Sequence, residues 1–264
     1  FFQRTTVLHA RPTQADLDAQ TLTVDAGTSQ PETLHWDHLV FTMGAVPNFF
    51  GNENIQRNAF TFKSLADAVA VRNHMIQVLE RAEREQNPDI RKALLTFVVV
   101  GGGFSGAELV GSMNDFLRGS LSSFSGIQPD ELRIVLVHGK DRILPELSEK
   151  LGKYAQEKLE QRGVEVILNT LASDAAAGKL WLGDDVIATE TLVWTAGAVP
   201  HPFPKDNGLL VDKRGAVVVD ETLRAHGHQN IWAAGDNAAV PDLVTGGQAP
   251  PTAQYATREG AALG

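Results

Sequence analysis

The chain has 264 residues, 23 basic against 32 acidic for a formal charge of −9, with 43% apolar and 21% charged residues. This is a globular composition, not that of a disordered or fibrous chain, and the acidic balance without a Lys/Arg cluster argues against nucleic acid or an anionic membrane as an electrostatic partner. There is no cysteine, which excludes a disulfide framework or thiolate metal site within this chain and suits a reducing, cytoplasmic compartment.

No apolar run approaches the roughly 20 residues of a spanning helix. The stretch Leu94 to Val100 comes nearest, and it ends in glycines. Phe1 to Arg11 lacks the basic-then-apolar layout of a secretion signal. The sequence opens on Phe1, and the expectation is a fragment of a longer protein.

In chain order, Thr5 to His9, Thr21 to Val24 and Thr33 to Trp36 read as short strands joined by polar turns. Leu39 to Pro47 follows as a strand that breaks at Thr-x-Gly and turns at proline. Ser64 and Asp67 have the spacing of a capping box. They open a long helix whose stripe is Ala68, Val71, Met75, Val78 and Ala82, with Asn87-Pro88 as its end. From there strand and helix alternate: strand Leu94 to Val100, helix Phe104 to Leu117, strand Leu132 to His138, helix about Ser148 to Arg162, strand Val164 to Leu168. The second of these helices has Leu147, Leu151, Ala155 and Leu159 one turn apart, with Gly163 as its stop. Leu171 to Ile187, with turns at Gly178 and Gly183-Asp184-Asp185, reads as an antiparallel excursion. The succession predicts an α/β fold with a Rossmann-type doubly wound sheet.

An internal repeat sets the larger organisation. Leu39-Val-Phe-Thr-Met-Gly-Ala-Val-Pro47 recurs as Leu192-Val-Trp-Thr-Ala-Gly-Ala-Val-Pro200, with seven of the nine positions identical. The period is too long for a solenoid and predicts two similar domains. The second copy closes one of them, which is expected at about 63–199.

Gly101-Gly102-Gly103-Phe104-Ser105-Gly106 matches G-x-G-x-x-G between an apolar strand and a helix. The first glycine permits the tight turn, the second lets a diphosphate approach the backbone, and the third lets helix and strand pack closely. The helix N-terminus then offers free N–H groups and a positive dipole end. The next strand should end in an acid that accepts hydrogen bonds from the adenosine ribose, but His138 stands there. A neutral His accepts one hydrogen bond without repelling a 2′-phosphate. Lys140 and Arg142 just beyond are either attractors of such a phosphate or solvated loop charges. Glu108, read here as lying in the first helical turn, either complements the dipole or stands beside a redox centre as a nicotinamide-orienting or proton-relaying carboxylate. Asn230 to Ala238 is a short strand breaking at Gly235-Asp236, where a carboxylate can accept from polyol hydroxyls. Pro250-Pro251 then precedes a helix through Arg258. His201, His226 and His228 lack paired ligand spacing, so no metal site is expected.

Together these residues resemble the two-dinucleotide flavoproteins, and within them the type II NADH dehydrogenases (NADH:quinone oxidoreductases). The resemblance runs from about Leu34 to the end. It rests on Thr42 to Gly51, the helix of Ser64 to Ala68 with Arg72-Asn73-His74, Val100 to Glu108, Arg142 to Pro145, Trp194 to Gly197, and Ala234-Gly235-Asp236. It implies an NAD(P)H domain at 63–199 inserted between parts of an incomplete FAD domain, 1–62 and the C-terminal part 200–264. FAD and NADH are the implied cofactors, with NADPH left open. Gly101, Gly102, Gly103, Phe104, Ser105, Gly106, His138, Arg142, Ala196 and Gly197 would serve NAD(P)H, and Thr42, Gly44, Gly235 and Asp236 would serve FAD. Glu108 would sit near the nicotinamide–flavin junction.

The family's Ala-Gln-x-Ala-x-Gln segment at the quinone site is matched by Ala253-Gln254-Tyr255-Ala256-Thr257-Arg258, so Gln254 carries over and Arg258 departs. The implied reaction passes hydride from nicotinamide to flavin and then two electrons to a quinone. The expected location is cytoplasmic, with the full-length protein peripheral on the inner face of the membrane and a homodimer left open. The family's first G-x-G-x-x-G and its C-terminal amphipathic helices are not in this chain, so residues 1–264 alone are expected to be colourless. Two alternatives remain: a soluble flavoprotein reductase of a protein carrier or a disulfide, whose cysteine pair would precede Phe1, and a catalytically silent dinucleotide-binding module.

Overall fold

The computed structural model describes residues 5–264. The chain divides into two compact units, one made of the chain up to Val46 together with Val199–Gly264, the other of Pro47–Ala198.

The first unit begins with an antiparallel sheet of β1 (Arg11–Asp16), β2 (Thr21–Asp25) and β3 (Glu32–His35). The strand expected at Thr5 to His9 does not form. Val7 there is 77% exposed, so that run has no face to bury. Pairing starts instead in a polar segment whose register shifts between Pro12 and Gln14. After β4 (Leu39–Phe41), β5 (Ala45–Pro47) carries the chain across the division.

The second unit opens with α1 (Glu53–Asn58), capped by Asn52, and with β6 (Phe60–Thr61). The capping box forms at the start of α2 (Leu65–Arg84): the Ser64 hydroxyl accepts from Asp67 N–H, and the Asp67 carboxylate accepts from Ser64 N–H at 2.8 Å. Val71, Met75, Val78 and Ala82 are buried, joined by Leu79, so the methionine is core. Asn87-Pro88 does not end this helix, which stops at Arg84; it begins another. Asn87 Oδ1 accepts from the N–H groups of Asp89 and Ile90, and Pro88 is the first residue of α3 (Pro88–Leu94). Proline at a first helical position loses only an N–H that would be unpaired anyway. Leu94 therefore closes a helix, and the strand is the shorter β7 (Thr96–Val100), buried throughout.

There follow α4 (Phe104–Ser120), β8 (Arg133–Val137), α5 (Glu149–Gln161), β9 (Val164–Ile167), an antiparallel sheet of β10 (Asp174–Ala176), β11 (Lys179–Leu182) and β12 (Asp185–Ala188), and β13 (Thr191–Trp194). The central sheet has the order β6-β13-β7-β8-β9 with every pair parallel. β6 joins this sheet at its edge, within the compact unit that runs from Pro47. One face of the sheet (Phe97, Val99, Ile134, Leu136) packs on α2, α4 and α5. The other face (Val98, Val100, Val135, Val137) packs on the antiparallel excursion and on Ile55 of α1. Leu151 does not join the α5 stripe and is 53% exposed. Gly152 faces inward in its place, so close to the Ile143 carbonyl that a Cβ would lie 2.9 Å from it. The helix packs there by its backbone.

The chain returns to the first unit through β14 (Ala198–Pro200), then α6 (Phe203–Asp206), β15 (Val217–Val218), β16 (Ile231–Ala233), β17 (Ala238–Ala239) and α7 (Ala253–Leu263). β16 pairs parallel with β4 and β15 with β17 over a core of Phe41, Phe203, Val217, Ile231 and Ala233. No helix among the described residues is long and apolar enough to cross a membrane.

An ion pair ties α3 to the loop before β8. Arg91 Nε lies 2.6 Å from Glu131 Oε1, with a second bond of 3.0 Å to Oε2. The guanidinium, and then the Gln128 N–H, hold the Glu131 carboxyl at about 2 instead of the ordinary 4.5. A carboxylate whose folded value is depressed stabilises the fold above its unfolded value, and that contribution is lost as pH falls through the folded one. The gap between the melting temperatures of wild type and Glu131→Gln, present at neutral pH, should therefore close as pH falls from 4.5 toward 2. A gap independent of pH would refute this role for the pair.

Candidate functional site

In the second unit, β7 delivers the chain into Gly101 at φ +117°, a conformation that L side chains rarely adopt. Gly101 N–H donates to Val137 O at 2.8 Å, and a Cβ on Gly101 would lie 2.6 Å from Ala196 N. Gly106 is tighter still: a Cβ there would fall 1.7 Å from Gly101 O. Gly103 differs from both. It caps α4 without a side-chain hydrogen bond, and nothing lies within 4 Å of the position its Cβ would take. The first and third motif glycines thus close the loop on itself while the second leaves it open at a helix N-terminus. Phe104 and Ser105, which follow, are exposed.

Thr195 completes this arrangement, and the motif reading missed it. Its N–H donates to Val100 O at 2.8 Å, and its hydroxyl proton is shared between Val100 O and Gly101 O, each at 3.0 Å. The signal was present, since threonine is one of the repeated residues in the duplicated signature. Beyond it, Ala196 packs against the buried cluster that contains Trp194. Gly197 O accepts from Asn48 N–H at 3.0 Å, and a Cβ on Gly197 would lie 2.8 Å from the Phe50 ring. The space left by Gly197 is therefore taken by Phe50, itself 68% exposed.

His138 stands directly after β8, where an acid was sought. Its Nδ1 accepts from Gly102 N–H at 3.0 Å, so its acceptor nitrogen serves the glycine loop. Its Nε2 is buried without a partner among the described residues. Burial, above all, and then Lys140 hold the ring below the ordinary imidazole value of 6.5. Arg142 is half-buried and donates to Pro145 O at 3.0 Å, within its own loop. Glu108 is exposed and is the fifth residue of α4, whose first turn contains no acid. The expected first-turn position is thereby corrected, and dipole complementation, which fades beyond the first turn, accounts for little of it.

In the first unit, Thr42, Gly44, Gly235 and Asp236 come together at the C-terminal ends of the paired strands β4 and β16. Ala234 N–H extends that pairing by donating to Phe41 O at 3.0 Å. Gly44 and Gly235 have φ of +68° and +73°, and Gly235 N–H donates to Glu259 Oε2 on α7 at 2.6 Å. Asn237, also missed, is buried. Its Oδ1 accepts from Met43 N–H at 3.2 Å, while its Nδ2 is buried without a partner among the described residues. Gln254 and Arg258, four residues apart on α7, are exposed, and the Arg258 guanidinium lies 6.0 Å from the Tyr255 ring. No group of three or more His, Cys, Asp or Glu among the described residues could hold a metal ion.

A family model described as pyridine nucleotide-disulphide oxidoreductase matches residues 3–260. The chain is 33% identical over 257 residues to the type II NADH:quinone oxidoreductase NdhA of Mycobacterium tuberculosis, an alignment covering 92% of this chain and 54% of that protein. It is 32% identical over 235 residues to a probable NADH dehydrogenase of Dictyostelium discoideum, covering 87% of this chain and 51% of the relative. Among solved structures, NDH2 of Plasmodium falciparum in complex with NADH shares the fold, with a TM-score of 0.81 at 21% identity over 89% of this chain and 50% of that one. The chain spans about half the length of the curated relatives it matches.

Proposed function

The chain belongs to the pyridine nucleotide-disulphide oxidoreductase family, and from that premise we propose that it forms the NAD(P)H-binding domain and part of the FAD-binding domain of a type II NAD(P)H:quinone oxidoreductase. The observation that carries this reading is the loop at the end of β7, shut by Gly101 and Gly106 and open only at Gly103. A backbone that admits no side chain at two points and meets nothing at the third fits a diphosphate, whose charge the α4 N-terminus favours. The compact unit Pro47–Ala198 is the NAD(P)H domain in this reading. NADPH is accepted beside NADH, because an imidazole rather than a carboxylate ends β8.

FAD, when bound, supplies the two-electron chemistry that links nicotinamide to quinone. Thr42, Gly44, Gly235 and Asp236 would hold it. The positive-φ glycines at the two strand ends and the unpartnered Asn237 Nδ2 suit a group that approaches backbone closely and brings acceptors. This chain's own residues position and orient. Gly103 admits the diphosphate, Thr195 keeps the loop closed against β13, and Glu108 orients the nicotinamide or relays a proton. Gln254 and Arg258, on the exposed side of α7, border the quinone. Peripheral attachment at the inner face of the membrane, and a dimer, belong to the same reading of the whole protein.

NADH titrated into the purified chain should show saturable binding, and the full-length protein supplied with FAD should oxidise NADH when a short-chain quinone is added. Failure to bind NADH would overturn the dinucleotide reading. Oxidation of NADH with a disulfide but not with the quinone would overturn the choice of acceptor.

A further inference from the structure

We infer that His138 is a positioning residue of the dinucleotide loop: its neutral imidazole holds the Gly102 peptide in place through Nδ1, and protonation of the ring releases that peptide and weakens diphosphate binding. The inference rests on the dinucleotide reading above and adds to it a residue that acts on the ligand only through the backbone of the loop.

Gly102 lies between the open glycine and the closed turn at Gly101, and both of its polar groups are held. Its N–H donates to His138 Nδ1 at 3.0 Å, and its carbonyl accepts from Leu144 N–H at 2.7 Å. The ring lies against Gly102 so closely that a Cβ there would be 2.8 Å from His138 Cγ. His138 is itself fixed by its main chain: its N–H donates to Ile167 O at 2.8 Å and its carbonyl accepts from Thr170 N–H at 3.1 Å. The imidazole is thus a fixed post against which the loop peptide is set.

An imidazole that accepts at Nδ1 is neutral and carries its proton on Nε2. Protonation would put an N–H on Nδ1 facing the Gly102 N–H, two donors with no acceptor between them, beside an Nε2–H that already has none. The surroundings keep the ring neutral near pH 7. Burial and Lys140 disfavour the charge more than Glu146 and Asp141 favour it. Arg142, in the same loop, directs its guanidinium to Pro145 O. Neither the glycine loop Gly101–Gly106 nor the segment 168–171 brings a titratable side chain.

Calorimetric binding of ADP-ribose between about pH 5 and pH 8, across the range in which imidazoles titrate, tests this. Its diphosphate is a diester and keeps its charge over that range, so a change in affinity reports on the protein. Wild type should lose affinity as the ring protonates, approaching about tenfold per pH unit below its midpoint. His138→Asn, whose Oδ1 stands two bonds from Cβ as Nδ1 does, should restore the acceptor without the titration. It should bind as wild type does at pH 8 and show a flat profile. His138→Leu should bind weakly at every pH.

A flat wild-type profile, or a leucine variant that binds as wild type does at pH 8, would overturn the inference while leaving the dinucleotide site intact. Failure of wild type to bind ADP-ribose at any pH would overturn the site itself, and the inference with it.

Discussion

Gly103→Ala should leave the protein folded and abolish most dinucleotide binding, whereas Gly106→Ala should unseat the loop itself. The two substitutions add the same methyl group three residues apart in one turn, and their surroundings decide the outcome. At Gly103 the new Cβ meets nothing within 4 Å, and the backbone there is extended at φ −76°, which alanine adopts freely. The expected stability change is the preference of a helix cap for glycine over alanine, about 1 kcal/mol, or roughly 2–4 °C for a chain of this size. The methyl would stand where, in the proposed function, the diphosphate reaches the backbone. A loss of roughly 100-fold in affinity is expected, equivalent to about 2.8 kcal/mol at 1.4 per tenfold.

At Gly106 the Cβ would fall 1.7 Å from Gly101 O and 2.7 Å from Thr195 Oγ1. Backbone cannot yield as a flexible side chain can, so the penalty should reach or exceed the roughly 3 kcal/mol of severe overpacking. Alanine's better helix propensity, worth about 1 kcal/mol, does not offset it. Thermal melts and NADH titrations on the two variants separate these outcomes. Wild-type NADH affinity in a well-folded Gly103→Ala protein would show that the open side of the loop does not receive the diphosphate.

These glycines were legible in the sequence because each answers a steric demand that no other residue meets, and the strand before them and helix after them are strongly patterned. Elements governed by weaker or two-sided signals were harder to read. Asn87-Pro88 favours a helix boundary in either direction, since asparagine caps and proline suits a first helical position; only the packing of Ala93 and Leu94 into the core makes it a beginning. Leu151 fits a helical stripe by spacing alone, but the approach of Gly152 to Ile143 O turns the helix so that a glycine faces inward. β1 is polar at most positions and takes its place by pairing with β2, which no local pattern announces. The strand end at His138 was found, but the direction of its ring was not. Whether an imidazole serves a ligand or a neighbouring peptide depends on an N–H 36 positions earlier in the chain, at Gly102.

The duplicated signature makes a final, internal comparison. Thr195 and Thr42 are equivalent residues of the two copies, yet they have different neighbours. The Thr195 hydroxyl sits 3.0 Å from two carbonyls, Val100 O and Gly101 O, while Thr42 is exposed and its hydroxyl bonds to no described residue. Valine matches threonine in shape and lacks only the hydroxyl. Thr195→Val should therefore leave the Gly101 carbonyl, already crowded by Gly106, without its donor, at a cost of about 1–3 kcal/mol. Thr42→Val should stay within roughly 0.5 kcal/mol, as surface changes usually do. Chemical denaturation of the two variants measures the contrast. Equal stabilities would mean that the hydroxyl at 195 does not hold the loop. Because the proposed function gives Thr42 to the flavin path and not to the fold, its valine variant in the full-length protein should instead weaken FAD binding at unchanged stability, so the same methyl-for-hydroxyl exchange reports packing in one copy and ligand in the other.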